Sequence, residues 1–85
     1  MAASVTMYTT SWCPFCHMLK ARLADRDIVW DEIDIDADEE AAVVVMQANN
    51  GNRTVPTLVY SDGSTQTNPS AQQVQLKLAE LAETV

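Results

Sequence analysis

The order of the first three elements constrains this chain more than any other feature of it. Ser4 to Thr9 (SVTMYT) is a short apolar and β-branched run without helical period. From Pro14 to about Asp25, Cys16, Leu19 and Leu23 recur at helical spacing, and Pro14 stands where a first helical turn tolerates a missing N–H. Ile28 to Ile35 then alternates, with Ile33 and Ile35 on one face and Glu32, Asp34 and Asp36 on the other. A strand, a helix and a second strand within about thirty residues make a βαβ unit, which implies parallel pairing and a right-handed crossover.

The remainder completes a sheet around that unit. Asp38 to Ala48 reads as a helix with acids in its first turn, stopped by the loop NNGN at Asn49 to Asn52. Thr57 to Tyr60 and Ser64 to Thr67 are short strands around Asp62-Gly63, a hairpin signal. After Pro69, Ser70-Ala71-Gln72-Gln73 is a capping box, and Val74, Leu78, Leu81 and Val85 form a helical stripe. The expected fold is α/β, in the order β-α-β-α-β-β-α, with a four-stranded mixed sheet and three helices. The 85 residues, 47% of them hydrophobic, suffice for one domain with one core. With no repeat or linker visible, 1–85 is read as a single domain.

At the junction of the first strand and helix lies Trp12-Cys13-Pro14-Phe15-Cys16-His17. C-x-x-C is the spacing of a thiol–disulfide pair, and C-x-x-C-H is also that of covalent haem attachment. The N-terminus has no basic region and no signal-length apolar stretch, and no segment approaches the roughly 18 apolar residues of a membrane span. A cytoplasmic location is therefore expected, where cysteines stay reduced and such a pair is catalytic or metal-binding rather than structural. Haem attachment needs export, and a small helical cytochrome has no use for a βαβ unit or a hairpin. Met7 sits in a strand pattern, and Met18 and Met46 read as helix filler rather than axial ligands. Structural zinc wants four ligands where Cys13, Cys16 and His17 supply three, and the proline inside the motif disfavours a shared iron–sulfur cluster. No metal and no tightly bound cofactor is expected.

Charge excludes further classes. A net charge of −7 would repel a nucleic-acid backbone or an anionic membrane. Seven of the twelve acids crowd into Asp31 to Glu40, but a calcium loop starting at Asp34 would need Gly at Glu39 and Glu at Val45. A solvated strand end and helix N-terminus is the better reading of that run.

A thiol attacks as its thiolate, of which only a few per cent exists near neutral pH at an ordinary pKa. Lowering that pKa by about two units takes roughly 2.7 kcal/mol, and a helix dipole supplies about 0.3 to 1. The sequence therefore predicts that first-turn N–H groups, from Phe15 and Cys16, donate directly to Cys13. Cys16, on the apolar stripe, is expected to be the buried resolving thiol with the higher pKa. His17, four residues after Cys13, reads as a solvent-facing helix residue or as one turned toward the thiol. Trp12 and Phe15 flank the thiol as candidates for an apolar contact surface.

With T-x-x-W-C-P-F-C and Thr54-Val55-Pro56 at their spacing, the chain resembles the thioredoxin-fold family and, within it, the glutaredoxins. Asn52-Arg53-Thr54-Val55-Pro56-Thr57, Asp62-Gly63-Ser64 and Thr67-Asn68-Pro69-Ser70 further resemble the mycoredoxins, the glutaredoxin-like proteins that use mycothiol. Ordinary glutaredoxins carry a lysine where Thr10 stands and Gly-Gly near Thr67-Asn68, features that belong to the grip on glutathione. The resemblance implies a cis peptide bond before Pro56, Cys13 and Cys16 as catalytic thiols, and mycothiol as reducing co-substrate. It also implies a ligand site formed by Trp12, Pro14, Phe15, Arg53, Thr54, Val55, Pro56, Thr67 and Asn68. The expected partners are mycothiol and S-mycothiolated proteins or small mixed disulfides, met by a monomer. The alternative is a dithiol redoxin, reduced by thioredoxin reductase and donating electrons to ribonucleotide reductase or another protein.

Overall fold

The structure, a computed structural model, describes residues 4–83. The central strand β1 (Val5–Thr9) alternates in burial, sending Val5 and Met7 into one core and Tyr8 toward another. Parallel to it lies β2 (Asp31–Asp34), and on its other side β3 (Thr57–Tyr60) runs antiparallel; β4 (Thr65–Thr67) completes the order β2-β1-β3-β4. Helices α1 (Pro14–Ala24) and α3 (Ala71–Glu83) cover one face, where Leu19, Leu23, Ala71 and Val74 close on Val5, Met7, Leu58 and Tyr60. Helix α2 (Glu39–Ala48) covers the other, packing Ala41, Ala42 and Val45 around Ile35. The α/β order read from the sequence is thus the observed one, with a mixed four-stranded sheet between two helical layers.

One boundary differs by more than a residue. The second strand was expected from Ile28 but begins at Asp31, because Ile28 belongs to the end of α1. Its N–H reaches back to the Leu23 carbonyl (3.1 Å), that of Asp27 to Ala24 (3.1 Å), and Asp27 takes a left-handed φ of 57°. This is a Schellman closure, and its usual apolar contact is present because Ile28 packs into the cluster that contains Leu23. Along β2 and the residue after it the expected faces hold: Ile33 and Ile35 join the α2-side core, while Glu32 accepts from Thr9 Oγ1, Lys20 Nζ and Trp30 Nε1.

The other ends follow local chemistry. Asp38 caps α2, its Oδ1 accepting from Glu40 N (3.0 Å) and Ala41 N (3.2 Å). Ser70 caps α3 in the expected box, with Gln73 N donating to Ser70 Oγ (3.1 Å) and Ser70 N to Gln73 Oε1 (2.8 Å). Gly63, at φ 87°, lets the β3–β4 turn close as Gly63 N donates to Tyr60 O and Tyr60 N to Ser64 O. Val74 of the α3 stripe is fully buried and Leu78 and Leu81 pack beside it; Val85 lies outside the described residues. Among the described residues no helix is long and apolar enough to cross a membrane.

Candidate active site

The sheet brings together two segments far apart in the chain. Antiparallel pairing of β1 with β3 ends at Tyr8 and Thr57, so the turn after Thr9 and the loop before β3 leave the sheet at the same end. Cys13 and Val55, 42 positions apart, face each other there, with Cys13 Sγ donating to the Val55 carbonyl at 3.8 Å. The Val55–Pro56 peptide is cis, as the resemblance implied.

Cys13 is the N-cap of α1. Its backbone is extended (φ −83°, ψ 111°), Pro14 follows at the first helical position, and the sulfur accepts the Cys16 N–H at 3.2 Å. Sulfur thus occupies the place usually held by a serine or aspartate oxygen, and a donor with no partner inside the helix is aimed at it. Of the two donors expected from the sequence, Cys16 supplies this bond. Phe15 does not, and the Cys13 sulfur takes the third amide of the helix. Both cysteines are free thiols.

The two sulfurs differ in setting. Cys13 retains 3% of its surface and Cys16 none, so what solvent access the pair has belongs to Cys13. Burial first, and then the hydrogen bond with Cys13, push the Cys16 thiol up to about 12 from an ordinary 9.0. A raised folded pKa favours the neutral thiol. The stabilisation it represents is complete below pH 9.0 and is lost as pH rises from there toward about 12. Limiting iodoacetamide near pH 8 is expected to place one label on the native reduced chain, at Cys13, with Cys16 labelled only after unfolding. Peptide mapping by mass spectrometry reads this directly, and equal labelling of both thiols would contradict the assignment.

Around the sulfur, Trp12 and Phe15 are 70% and 58% exposed, as an apolar contact surface requires. Trp12 is nevertheless held, its Nε1 donating to Asp36 Oδ2 at 3.0 Å. Met18, expected as helix filler, is instead 48% exposed and lines a groove of about 290 Å³ with Phe15, Arg22, Asn68 and Pro69. It lies two positions from the buried Cys16 and therefore off the Cys16–Leu19–Leu23 stripe. His17 does not turn to the thiol: its Nε2 is 2.9 Å from the Ser11 carbonyl, which joins the helix to the turn before it. Thr10 is buried, and its hydroxyl has no partner among the described residues. Pro14, Arg53 and Thr54 are exposed beside the motifs, whereas Pro56 is buried.

Thr67 and Asn68 stand across the cis-proline loop. Asn68 N donates to Pro56 O at 2.8 Å, and Thr67 Oγ1 donates to Asn49 Oδ1 at 2.6 Å. Asn49 Nδ2 in turn donates to Thr57 Oγ1 (3.0 Å), which donates to the Thr54 carbonyl (2.7 Å). Sequence reasoning missed Asn49 and Thr57. In the sequence, Asn49 opens NNGN and carries only a helix-stop signal.

Comparison with known proteins agrees with this geometry. The family model described as Glutaredoxin matches residues 5–64. A protein of Mycobacterium tuberculosis that carries a provisional glutaredoxin name is 50% identical over 82 residues, 96% of this chain and 98% of that one. Mycoredoxin 1 of Corynebacterium glutamicum is 48% identical over 80 residues, 94% of this chain and 99% of its own. Among solved structures, the glutaredoxin of Methanosarcina mazei superposes with a TM-score of 0.76 at 25% identity, over 89% of this chain and 78% of that one.

Proposed function

Because this chain belongs to the glutaredoxin family, whose members are generally thiol–disulfide oxidoreductases, we propose that it removes mycothiol from mixed disulfides through Cys13. The observation that carries the reading is the Cys13 sulfur, capped by the Cys16 N–H and facing the Val55 backbone. The Cys13 thiolate attacks the mycothiol sulfur of the mixed disulfide. That S–S bond breaks, and the released thiolate takes a proton from solvent. Cys13 is left disulfide-bonded to mycothiol. A free mycothiol thiolate then attacks the mycothiol sulfur of this bond, giving mycothiol disulfide and restoring the Cys13 thiolate, so one free mycothiol is consumed for each mixed disulfide reduced and its proton balances the one taken up by the released thiolate.

Each neighbour has a role in this reaction. In the resting thiol the Cys13 S–H occupies the Val55 carbonyl. Once the sulfur is ionised or bonded to the ligand, that carbonyl is free to accept from the ligand's extended backbone, as in strand addition. Phe15, Trp12 and Pro14 supply the apolar rim, and Arg53, Thr54, Pro56, Thr67 and Asn68 the opposite wall. On the Trp12 side an uncharged sugar thiol suits the rim better than glutathione, because Thr10 offers no cation there and Asp36, bonded to Trp12, places an anion, which leaves Arg53 as the cation of the opposite wall. The similarity to a protein named mycoredoxin 1 supports the same choice. The setting of this activity is the reducing cytoplasm, and the acting species is the monomer.

A second reading draws on Cys16, which lies fully buried behind Cys13 where it could resolve a mixed disulfide with a protein. A dithiol carrier reduced by thioredoxin reductase would need both cysteines. Replacing Cys16 with serine separates the two. On the mycothiol route, turnover of a mycothiolated peptide stays within roughly threefold of the wild type. Loss of that turnover, together with reduction of the wild-type disulfide by thioredoxin reductase and NADPH, would establish the carrier instead.

A further inference from the structure

We infer that Asn49 and Thr57 are positioning residues for the thiol site, forming a polar clamp that leaves Val55 as the one backbone unit of the cis-proline loop available to a ligand. The inference rests on the ligand pairing with Val55 described above, and adds what holds that edge in place. Three successive carbonyls, of Thr54, Val55 and Pro56, lie around the cis peptide bond. That of Thr54 accepts from Thr57 Oγ1 (2.7 Å) and that of Pro56 from Asn68 N (2.8 Å), so each already has a donor from within the fold. Between them, Val55 O meets, among the described residues, the Cys13 thiol at 3.8 Å.

The clamp has a fixed direction. Thr57 is fully buried, and its single hydroxyl proton is committed to Thr54 O because its lone pair already receives Asn49 Nδ2 at 3.0 Å. Asn49 cannot rotate away, since its second amide proton goes to Val45 O (2.8 Å) and its Oδ1 receives Thr67 Oγ1 (2.6 Å). The amide orientation follows from the partners: Val45 O can only accept, so Nδ2 must face it. One side chain thereby ties the last turn of α2, the start of β3 and the end of β4 to one peptide of the ligand-facing loop. Thr67, expected from the family resemblance as a ligand contact, has its hydroxyl engaged in this clamp.

The test compares Thr57→Val, which keeps the shape and loses the hydroxyl, with Thr57→Ser, which keeps the hydroxyl. Asn49→Asp serves as a second lesion at a half-buried site, retaining the acceptor for Thr67 and losing both donors. Thr57→Val and Asn49→Asp are each expected to raise KM for a mycothiolated cysteine peptide about tenfold, with Thr57→Ser within about twofold of wild type. The rate of Cys13 alkylation by iodoacetamide, which needs no backbone docking, stays unchanged in all three. A KM unchanged in both lesions overturns the inference, and a parallel fall in alkylation assigns the pair a merely structural role, which overturns it too.

A second measurement holds whether or not mycothiol is the thiol. In the Cys16→Ser chain, with Cys13 disulfide-linked to N-acetylcysteinamide, amide hydrogen exchange at Val55 should be slowed relative to the free chain. Adding Thr57→Val should abolish that protection. Failure of the wild type to turn over the mycothiolated peptide, with Val55 protection retained and lost on cue, refutes the mycothiol assignment and leaves the clamp standing. Protection that survives Thr57→Val refutes the clamp and leaves the mycothiol assignment standing.

Discussion

Cys13→Ser is expected to bring reduction of a mycothiolated peptide down to the uncatalysed background while leaving the fold intact. Exchange at a disulfide requires a thiolate, and a serine hydroxyl is not ionised at working pH, so no residual route runs through the same position. Serine is also a preferred N-cap, and its oxygen can take the Cys16 N–H that the sulfur now accepts at 3.2 Å. Thermal unfolding of the variant should match or slightly exceed that of the reduced wild type. Activity and stability are thereby separated at a single atom. Activity that persisted at a tenth of wild type or more, about 1.4 kcal/mol in barrier terms, would place the nucleophile elsewhere.

The second large effect is on stability. Leu23→Ala should destabilise the chain by about 2–5 kcal/mol, because Leu23 is fully buried where α1, β1 and α3 meet. For a domain of this size the total stability is about 4–13 kcal/mol, so this one change removes a large fraction of it. At about 4–8 °C per kcal/mol, a loss near 3 kcal/mol lowers Tm by about 15 °C. Alanine keeps the Leu23 carbonyl that accepts Arg26 N and Ile28 N in the closure of α1, so the loss measured is that of the side chain from the cluster into which Ile28 also packs. Calorimetry of the reduced protein measures the loss, and a shift under about 4 °C would mean the site relaxes around the cavity.

What was legible in the sequence was whatever depends on near neighbours. The apolar and β-branched run SVTMYT, helical recurrence of Cys16, Leu19 and Leu23, and the Ser70–Gln73 box each encode an element through contacts a few residues apart. The placement of both cysteines where the first strand gives way to the first helix followed from them. The start of β2 was not legible, because the left-handed residue that closes α1 is Asp27 rather than glycine, and Ile28 looks the same in a strand as in a helix closure. Nor was the Asn49 clamp, whose partners Thr57 and Thr67 lie 8 and 18 residues away and meet only when α2 is laid over the sheet. His17 shows the same limit: helical spacing brought it near Cys13, but only the fold decides that its ring goes to the Ser11 carbonyl.

That the cap of α1 is a sulfur couples the helix to electron transfer. A reduced Cys13 can carry negative charge opposite the Cys16 N–H, and a disulfide sulfur in the same place is a neutral and poorer acceptor. Whatever free energy the cap contributes to the dithiol is therefore withheld from the disulfide. By the thermodynamic cycle it moves the couple toward the oxidising end, about 30 mV for each 1.4 kcal/mol. Strengthening the first turn of this helix would make the protein a better acceptor of electrons, and fraying it would make it a better donor.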